Sequence, residues 1–448
     1  MTMKSRTTVL LGALVAMLGA PAAARSQDTS LAELLAEADA ASPRIASARR
    51  TAEAAAARVP QAGALPDPMV GLGFMNVPVS RPGLGNDMMT MAQVKVSAEF
   101  PWPGKLGLGE EVARLEARAS DWDVERVRQE VRAETQRLYY EIYFVDRALE
   151  VTSRNEALLR DFARLTSSRY GVGAAGQPDV LRAQVERTRL ADQLVALREE
   201  RTSAAARLNA LVARATDTPV TATELPEAVR TAALGEAEAG PRFASATLNG
   251  LLPGGGPDAG MPSVADLQRL ALDRNPMIQA HVQRVESRRS ALELAGRASL
   301  PDFNVSAGYS GRSGFGDFFD VMVSAPVPIF AGRKQNQAMA EQAATLAEHE
   351  ARHHAMVNEL NGEIASLYAR LARAREQLVL LGDGILPQAR TGLSSATASY
   401  RVGRVDFLSL LDAQVTLYRH ELEYHRLLAD FATNLASLER AVGTEVLQ

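Results

Sequence analysis

The sequence contains no cysteine. Without cysteine the chain has no disulfide, no thiolate metal ligand, no thiol nucleophile and no lipidated N-terminal cysteine. It also contains no GxSxG or P-loop motif, so we expect neither an enzyme nor a bound cofactor. The net charge of −4 argues against a nucleic-acid partner.

Long apolar runs are missing as well. After the first residues, no stretch reaches the roughly 18 apolar residues that a transmembrane helix needs. The start of the chain is different: Lys4 and Arg6 precede a short apolar core at 9–18, and small residues follow at 22–24. This pattern predicts a signal peptide over residues 1–24, removed on export. The exported protein would therefore meet a membrane only through β-strands.

An internal duplication organises the rest of the chain. Residues 170–184 (YGVGAAGQPDVLRAQ) and 400–414 (YRVGRVDFLSLLDAQ) share Tyr, Val, Gly and a final Ala-Gln pair at matching places. Each segment lies between two long apolar-periodic stretches, which predicts the turn of a helical hairpin. Gly403 suits the end of one helix, and Asp406 suits the N-cap of the next.

The repeat divides the chain into three parts after the signal peptide: a first repeat over 25–213, an irregular linking segment over 214–262, and a second repeat over 263–448. Each repeat is predicted as helix, β-hairpin, long helix, turn and helix. The predicted helices are 31–64, 105–171 and 179–213, then 264–298, 333–401 and 407–442. The predicted strands are 69–75 and 91–100, then 303–311 and 319–328.

Apolar and polar residues alternate along the predicted strands, as expected where one side faces lipid and the other faces water. Four strands are too few to close a membrane barrel, which needs about eight, and open edges are costly in lipid. Apolar residues in alternating steps of three and four follow the long helices and indicate coiled-coil packing. The expected fold is a mixed α and β membrane protein, in which three chains form a 12-stranded β-barrel on a long α-helical coiled-coil barrel.

Six short motifs carry a family resemblance. They are Leu65-Pro66-Asp67 and its counterpart 300–302, Pro101-Trp102-Pro103-Gly104-Lys105 and its counterpart 328–333, and the two Tyr-x-Val-Gly turns. In this order they resemble the TolC-type outer-membrane efflux proteins over nearly all of the mature sequence. The resemblance implies a homotrimeric exit duct in the outer membrane of a Gram-negative bacterium. It also implies two partners, a periplasmic adaptor (membrane fusion protein) and an inner-membrane transporter, of the RND type.

Three alternatives stay open at this point: a duct for drugs and other organic compounds, a duct for type I secretion, and, from a different class, a soluble periplasmic coiled-coil adaptor or scaffold. The lipid-facing alternation argues against the last of these.

In the TolC-type family the two turns lie at the periplasmic tip, where the adaptor docks and the channel narrows. Two acidic residues three apart often follow the second turn there, and Ser409 and Asp412 occupy those places here. Asp412 either faces the channel, where a trimer would bring three carboxylates close together, or it caps the first turn of its helix or lies there in solvent. Asp406 and Asp179 fit helix caps better than channel ligands. The predicted tip, gate and adaptor contact comprises Asp412, Ser409, Asp406, Tyr400, Gly403, Tyr170, Gly173 and Asp179.

Two groups of side chains have the chemistry of metal ligands. Met75, Met88, Met89 and Met91 cluster at the first hairpin; thioethers suit cuprous ions, but methionine also packs well at irregular apolar edges. This segment resembles the heavy-metal branch of the family, which makes copper or another metal cation the favoured substrate. His349 and His353 lie four apart on a predicted helix, with Glu350 between them in the HExxH order; this spacing suits helical metal ligands, but we expect an ordinary helix face here.

Overall fold

The computed structural model describes residues 30–79, 83, 88–222, 224–234 and 262–447. The predicted signal peptide at 1–24 lies outside these residues. In chain order the helices are α1 (Leu31–Ala41), α2 (Pro43–Gly63), α3 (Lys105–Gly171), α4 (Gln177–Leu211), α5 (Glu227–Leu234), α6 (Val264–Arg274), α7 (Pro276–Gly296), α8 (Gln335–Val379), α9 (Leu386–Arg401) and α10 (Phe407–Val442). The strands are β1 (Met69–Met75), β2 (Met91–Phe100), β3 (Phe303–Gly311) and β4 (Phe318–Ser324).

The first helix of each repeat, predicted at 31–64 and at 264–298, consists of two helices, and they divide at the Ser42-Pro43 and Asn275-Pro276 pairs, where the sequence predicts a break. The breaks fall at Ser42 (φ −61°, ψ 121°) and Asn275 (φ −68°, ψ 119°), each followed by a proline that opens the next helix. A residue before proline is driven out of the helical region, so both breaks have the same cause. A short 3₁₀ turn, Arg297–Ser299, then follows α7.

The predicted helix 333–401 is also interrupted. It begins at Gln335, and a π-helical segment, Leu380–Ile385, separates α8 from α9. This segment contains Gly382 and Gly384, and Pro387 follows in the first turn of α9. Glycine and proline both weaken regular α-helical hydrogen bonding, which accounts for a local change of pitch here.

Three other bounds differ from prediction. Strand β4 stops at Ser324 rather than 328, because Pro326 and Pro328 cannot donate to a strand ladder. Helix α4 spans Gln177–Leu211 rather than 179–213, with Pro178 accommodated in its first turn. The linking segment predicted as irregular contains α5, whose Val229 and Ala233 are buried in the main core.

The four strands form one antiparallel sheet in the order β1-β2-β3-β4. One row of paired residues is apolar: Val70 faces Val96, Val96 faces Ala307, and Ala307 faces Val321. The neighbouring row is Gly71, Lys95, Gly308 and Asp320, on the opposite side of the sheet. The sheet therefore has an apolar side and a polar side, and β1 and β4 are its edges.

The helices pack mainly around α3, α8 and α10, which supply much of the largest buried cluster. A second, separate apolar cluster lies where α3, α4, α9 and α10 meet next to the two turns. Among the described residues, no helix combines the length and apolar character needed to cross a membrane.

Candidate functional site at the two helical turns

The two turns have the same backbone structure, as expected of duplicated segments. Gly173 (φ +72°) and Gly403 (φ +77°) follow α3 and α9 in the left-handed conformation. Each turn has the pair of hydrogen bonds that defines a Schellman motif. The bonds are Gly173 N–H to Tyr170 O (3.0 Å) and Ala174 N–H to Arg169 O (2.8 Å) in the first turn, and Gly403 N–H to Tyr400 O (3.0 Å) and Arg404 N–H to Ser399 O (2.9 Å) in the second. We call residues 169–179 and 399–412 together the tip.

The return helices begin with different acidic caps. Asp406 is the N-cap of α10, and its Oδ1 accepts from Ser409 N–H (2.9 Å) and Ser409 Oγ–H (2.6 Å). The pKa of Asp406 lies below its usual value. The largest cause is the hydrogen bond from the Ser409 side chain, and the next is the hydrogen bond from the Ser409 backbone. Asp179 lies three residues inside α4 and accepts from Gly176 N–H at 3.4 Å. Both carboxylates stabilise helix N-termini.

The two tyrosines at matching places have different surroundings. Tyr400 is only 3% exposed and packs its ring against Phe407, with 5.9 Å between ring centroids. Its hydroxyl lies 3.0 Å from Oγ1 of the buried Thr166 on α3. Tyr170 is 49% exposed. The second turn is thus fixed into the apolar cluster, whereas the first turn presents its tyrosine to the surroundings.

Arg169 connects the two turns, a role that the sequence did not predict. Its Nη1 donates to the backbone oxygen of Tyr400, its Nη2 donates to Ala174 O at 3.4 Å, and its guanidinium lies 4.8 Å from the Tyr400 ring centroid. The matching residue in the second repeat is Ser399. The sequence shows that the two turns differ at this place, which hints at a special role for Arg169, but it does not show which residue Arg169 contacts.

Polar side chains continue the contact between α3, α4 and α10 beyond the tip. Gln414 Nε2 donates to Asn155 Oδ1 (2.8 Å), and both residues are buried. The Tyr418 hydroxyl donates to Gln193 Oε1 (2.8 Å) and lies 3.1 Å from Thr152 Oγ1. Because a buried polar group is costly without its partner, these bonds favour one register of the helices.

Glu421 makes a charged connection farther along α10. Its carboxylate accepts from Arg154 of α3 (2.7 Å) and from Arg390 of α9 (3.4 Å), and its side chain is only 9% exposed. The helical hairpin of α9 and α10 is therefore held to α3 by hydrogen bonds and ion pairs as well as by apolar packing.

The predicted gate residues lie on an exposed face of α10. Ser409 and Asp412 are exposed, together with Leu408, while Leu410 and Leu411 are buried in the cluster next to the turns. Asp412 therefore does not cap α10, a role that Asp406 fills. Its carboxylate is available to whatever lies beside this face.

The structure brings two of the four predicted methionines together. Met75 and Met91 are cross-strand partners at the end of the β1–β2 hairpin, whereas Met88 and Met89 lie in the adjoining turn with 58% and 57% exposure. The turn is held by Thr90 Oγ1, which donates to Asn76 O at 2.9 Å. In the described part of the chain, no group of three or more His, Asp or Glu side chains is arranged to hold a metal ion.

The motifs of the two repeats meet where strands become helices. Asp302 Oδ1 accepts from Trp102 N–H (2.7 Å) and from Lys105 Nζ (2.8 Å), and Lys105 Nζ also donates to Leu300 O (2.7 Å). The Trp102 and Phe303 rings stack with 5.6 Å between centroids. These contacts join the first repeat to the second at this end of the sheet.

The family model described as outer membrane efflux protein matches residues 34–214 and again residues 267–444. The chain belongs to the outer membrane efflux protein family. The two matched segments correspond closely to the two repeats. Membership identifies the chain as an outer-membrane efflux channel rather than an enzyme, one that works with an adaptor and an inner-membrane transporter. The alternative of a soluble periplasmic scaffold is thereby set aside.

Individual relatives agree with this membership. The cobalt-zinc-cadmium resistance protein CzcC of Cupriavidus metallidurans is 23% identical over 355 residues, which cover 78% of this chain and 77% of that protein. Among solved structures, the outer membrane protein VceC of Vibrio cholerae superposes with a TM-score of 0.73 at 18% identity, covering 94% of this chain and 97% of that one. The CusC channel gives 0.72 at 16% identity, covering 93% and 92%.

Proposed function

We propose that three copies of this chain form a closed, 12-stranded barrel continued by a helical tube in the periplasm, after removal of residues 1–24. The support is the sheet itself. Its edge strands β1 and β4 are available for further pairing, and Val70, Leu72 and Phe319 on its apolar side are 68%, 79% and 71% exposed. An apolar sheet with open edges requires partners, and pairing β1 of one chain with β4 of the next supplies them.

The proposed substrates are heavy-metal cations such as copper, moved outward with an RND-type transporter and a membrane fusion protein. The observation that carries this proposal is the similarity to CzcC across 78% of the chain. The name of that relative specifies cobalt, zinc and cadmium. Paired Met75 and Met91 add thioether ligands suited to cuprous ions, so copper belongs in the same test.

The tip is proposed as both the adaptor contact and the entrance. Apolar side chains are exposed around both turns, with Val172 at 79%, Val402 at 69% and Leu408 at 51%. An exposed apolar surface of this kind suits a protein partner. On the neighbouring face of α10, a trimer would gather three copies of Asp412, whose combined negative charge attracts cations.

The test is metal tolerance of a strain that lacks the gene, complemented by the wild type, Asp412→Asn or Asp161→Asn. Asp161 is the control, because it is an exposed carboxylate on α3 paired with Arg164. The wild type and the control should restore growth in copper, cobalt, zinc or cadmium, whereas Asp412→Asn should restore it only partly. Rescue against dyes and antibiotics without rescue against any metal would refute the proposed substrates and favour the organic-compound duct.

A further inference from the structure

Three histidines meet between α7 and α8, far along the chain from the tip. His281 lies on α7, and its ring centroid is 5.6 Å from that of His349 and 5.8 Å from that of His353 on α8. Residues four apart share one face of a helix, so His349 and His353 both point toward α7. The sequence pattern had singled out the pair on α8 but not the third ring that completes the group.

The ring nitrogens of this group lack hydrogen-bond partners within the described residues. His281 is only 4% exposed, yet neither its Nδ1 nor its Nε2 is paired. The buried Nδ1 atoms of His349 and His353 are unpaired as well. A buried polar group without a partner costs about 1–3 kcal/mol, so four such nitrogens in one place require an explanation. A bound ligand that accepts nitrogen lone pairs supplies one.

The spacing of the rings fits a shared metal ion. Nitrogen ligands about 2.0–2.1 Å from a tetrahedrally coordinated metal place neighbouring imidazole centres roughly 5 Å apart. The two centroid distances of 5.6 and 5.8 Å exceed this by less than about 1 Å. As placed in the described chain, no three His, Asp or Glu side chains have the geometry to hold a metal ion. Binding therefore requires rotation of these side chains so that one nitrogen of each ring faces the ion.

The charges around the histidines permit a cation. Arg284 pairs with Asp123, and Arg352 pairs with Glu348, so the positive charges nearest the group are each compensated. Glu348 also lies 3.6 Å from Nε2 of His349, on the side opposite to the unpaired Nδ1. At this distance the carboxylate acts on the ring through its negative charge rather than through a hydrogen bond.

An open cleft gives access to the group. His353 lines this cleft together with Glu286 and Glu350, two carboxylates bridged by Arg289 at 2.7 and 3.4 Å. A cation can therefore approach His353 from outside without passing through the core.

We propose that His281, His349 and His353 bind one divalent transition-metal ion, such as zinc or cobalt, within each chain. Imidazole nitrogen is a good ligand for these ions. The site is separate from the tip and from the methionines of the β1–β2 hairpin. It rests on the geometry of α7 and α8 and not on the proposed substrates of the channel.

The test measures metal binding by the full-length, detergent-purified protein carrying no polyhistidine tag. Cobalt is titrated while its visible absorption is followed, and bound zinc per chain is measured after removal of free metal. The variants are His281→Gln and, because His281 is buried, the half-buried His353→Gln as a second change that disturbs packing less. His420→Gln is the matched control, since His420 is paired with Glu423 on α10.

We expect one ion per wild-type chain, unchanged in the His420→Gln control. Loss of one ligand should weaken binding on the order of 10- to 100-fold or more, since even residues that merely support a ligand have effects of this size. Absence of stoichiometric binding to the wild type, or equal affinity in the folded His281→Gln and His353→Gln variants, would overturn the proposal. Metal-tolerance rescue is a separate measurement, and its result does not depend on this one.

Discussion

At the residue scale, Arg169 makes a contact that no symmetry of the repeats requires. Its guanidinium lies over the Tyr400 ring and donates to the backbone of the other turn. Replacing Arg169 with Ala removes a cation–π contact and a charge-assisted hydrogen bond, so we expect the tip to lose about 1–2 kcal/mol of local stability. Hydrogen exchange of the turn amides at 170–176 and 400–406 measures this loss directly.

The control is Arg164→Ala, because Arg164 is exposed and pairs with Asp161 three residues away on the same helix. Surface pairs of this kind contribute little, so turn exchange in this variant should match the wild type. Equal protection of the turns in Arg169→Ala and Arg164→Ala would show that the contact between the turns does not stabilise the tip.

Asp406 gives the tip a defined pH dependence. Its pKa in the folded chain is lowered from 3.8 by hydrogen bonds from Ser409, so folding favours the ionised form. The stabilisation is present above the unfolded pKa and is lost as pH falls through the lower folded pKa. We therefore expect the protection of the first turn of α10, measured against the intrinsic exchange rate at each pH, to fall in acid below about pH 4.

The Asp406→Ser variant removes the negative charge but keeps a capping side chain, because serine also caps helices and does not titrate in this range. In that variant the first turn of α10 should stay protected at neutral pH and lose most of its acid sensitivity. An unchanged acid response in Asp406→Ser would assign the effect to another carboxylate.

At the scale of the elements, the duplicated turns provide a matched pair of glycines. Both Gly173 and Gly403 have positive φ, so alanine at either position costs about 1 kcal/mol in backbone strain. A Cβ at Gly403 would lie 3.2 Å from Nη2 of Arg169, whereas at Gly173 it would meet no described atom within 4 Å. Gly403→Ala should therefore lower the thermal unfolding temperature more than Gly173→Ala does. Equal decreases in unfolding temperature would mean that the Arg169 side chain moves away from the added methyl group without loss of stability.

The elements themselves were largely predictable because they depend on local signals. Alternation specified the strands, and apolar steps of three and four specified α3 and α10. The π-helical segment Leu380–Ile385 was missed because glycine and proline weaken a helix without specifying how it adjusts. Asp406 was predicted as a cap because its partner lies three residues away. Arg169 and Tyr400, 231 residues apart, meet only through packing of the helices, and the same holds for His281 and its two partners on α8.

At the scale of the whole molecule, the sheet and the helices are joined through Asp302, which binds the strand–helix corner of the other repeat. Since α3 continues from that corner to Arg169, and α10 packs along α3, the two repeats are connected at both ends of the helical body. A change in the relative position of the repeats at the tip must therefore bend or slide long helices, rather than open a loose loop.

Assembly depends on which side of the sheet faces lipid, and neighbouring residues of β2 test this. Val94 lies on the apolar side and Gln93 on the polar side, where its Nε2 lies 3.3 Å from Asp320 Oδ1. A lysine on a lipid-facing strand position costs about 2–4 kcal/mol at mid-membrane, whereas positions on the inner side tolerate charge. Val94→Lys should therefore reduce the amount of the proposed trimer in outer membranes, measured by cross-linking or native electrophoresis, and Gln93→Lys should leave that amount near the wild-type level. Similar yields for both variants would contradict a lipid-facing apolar side, and a loss confined to Gln93→Lys would reverse the assigned orientation of the sheet.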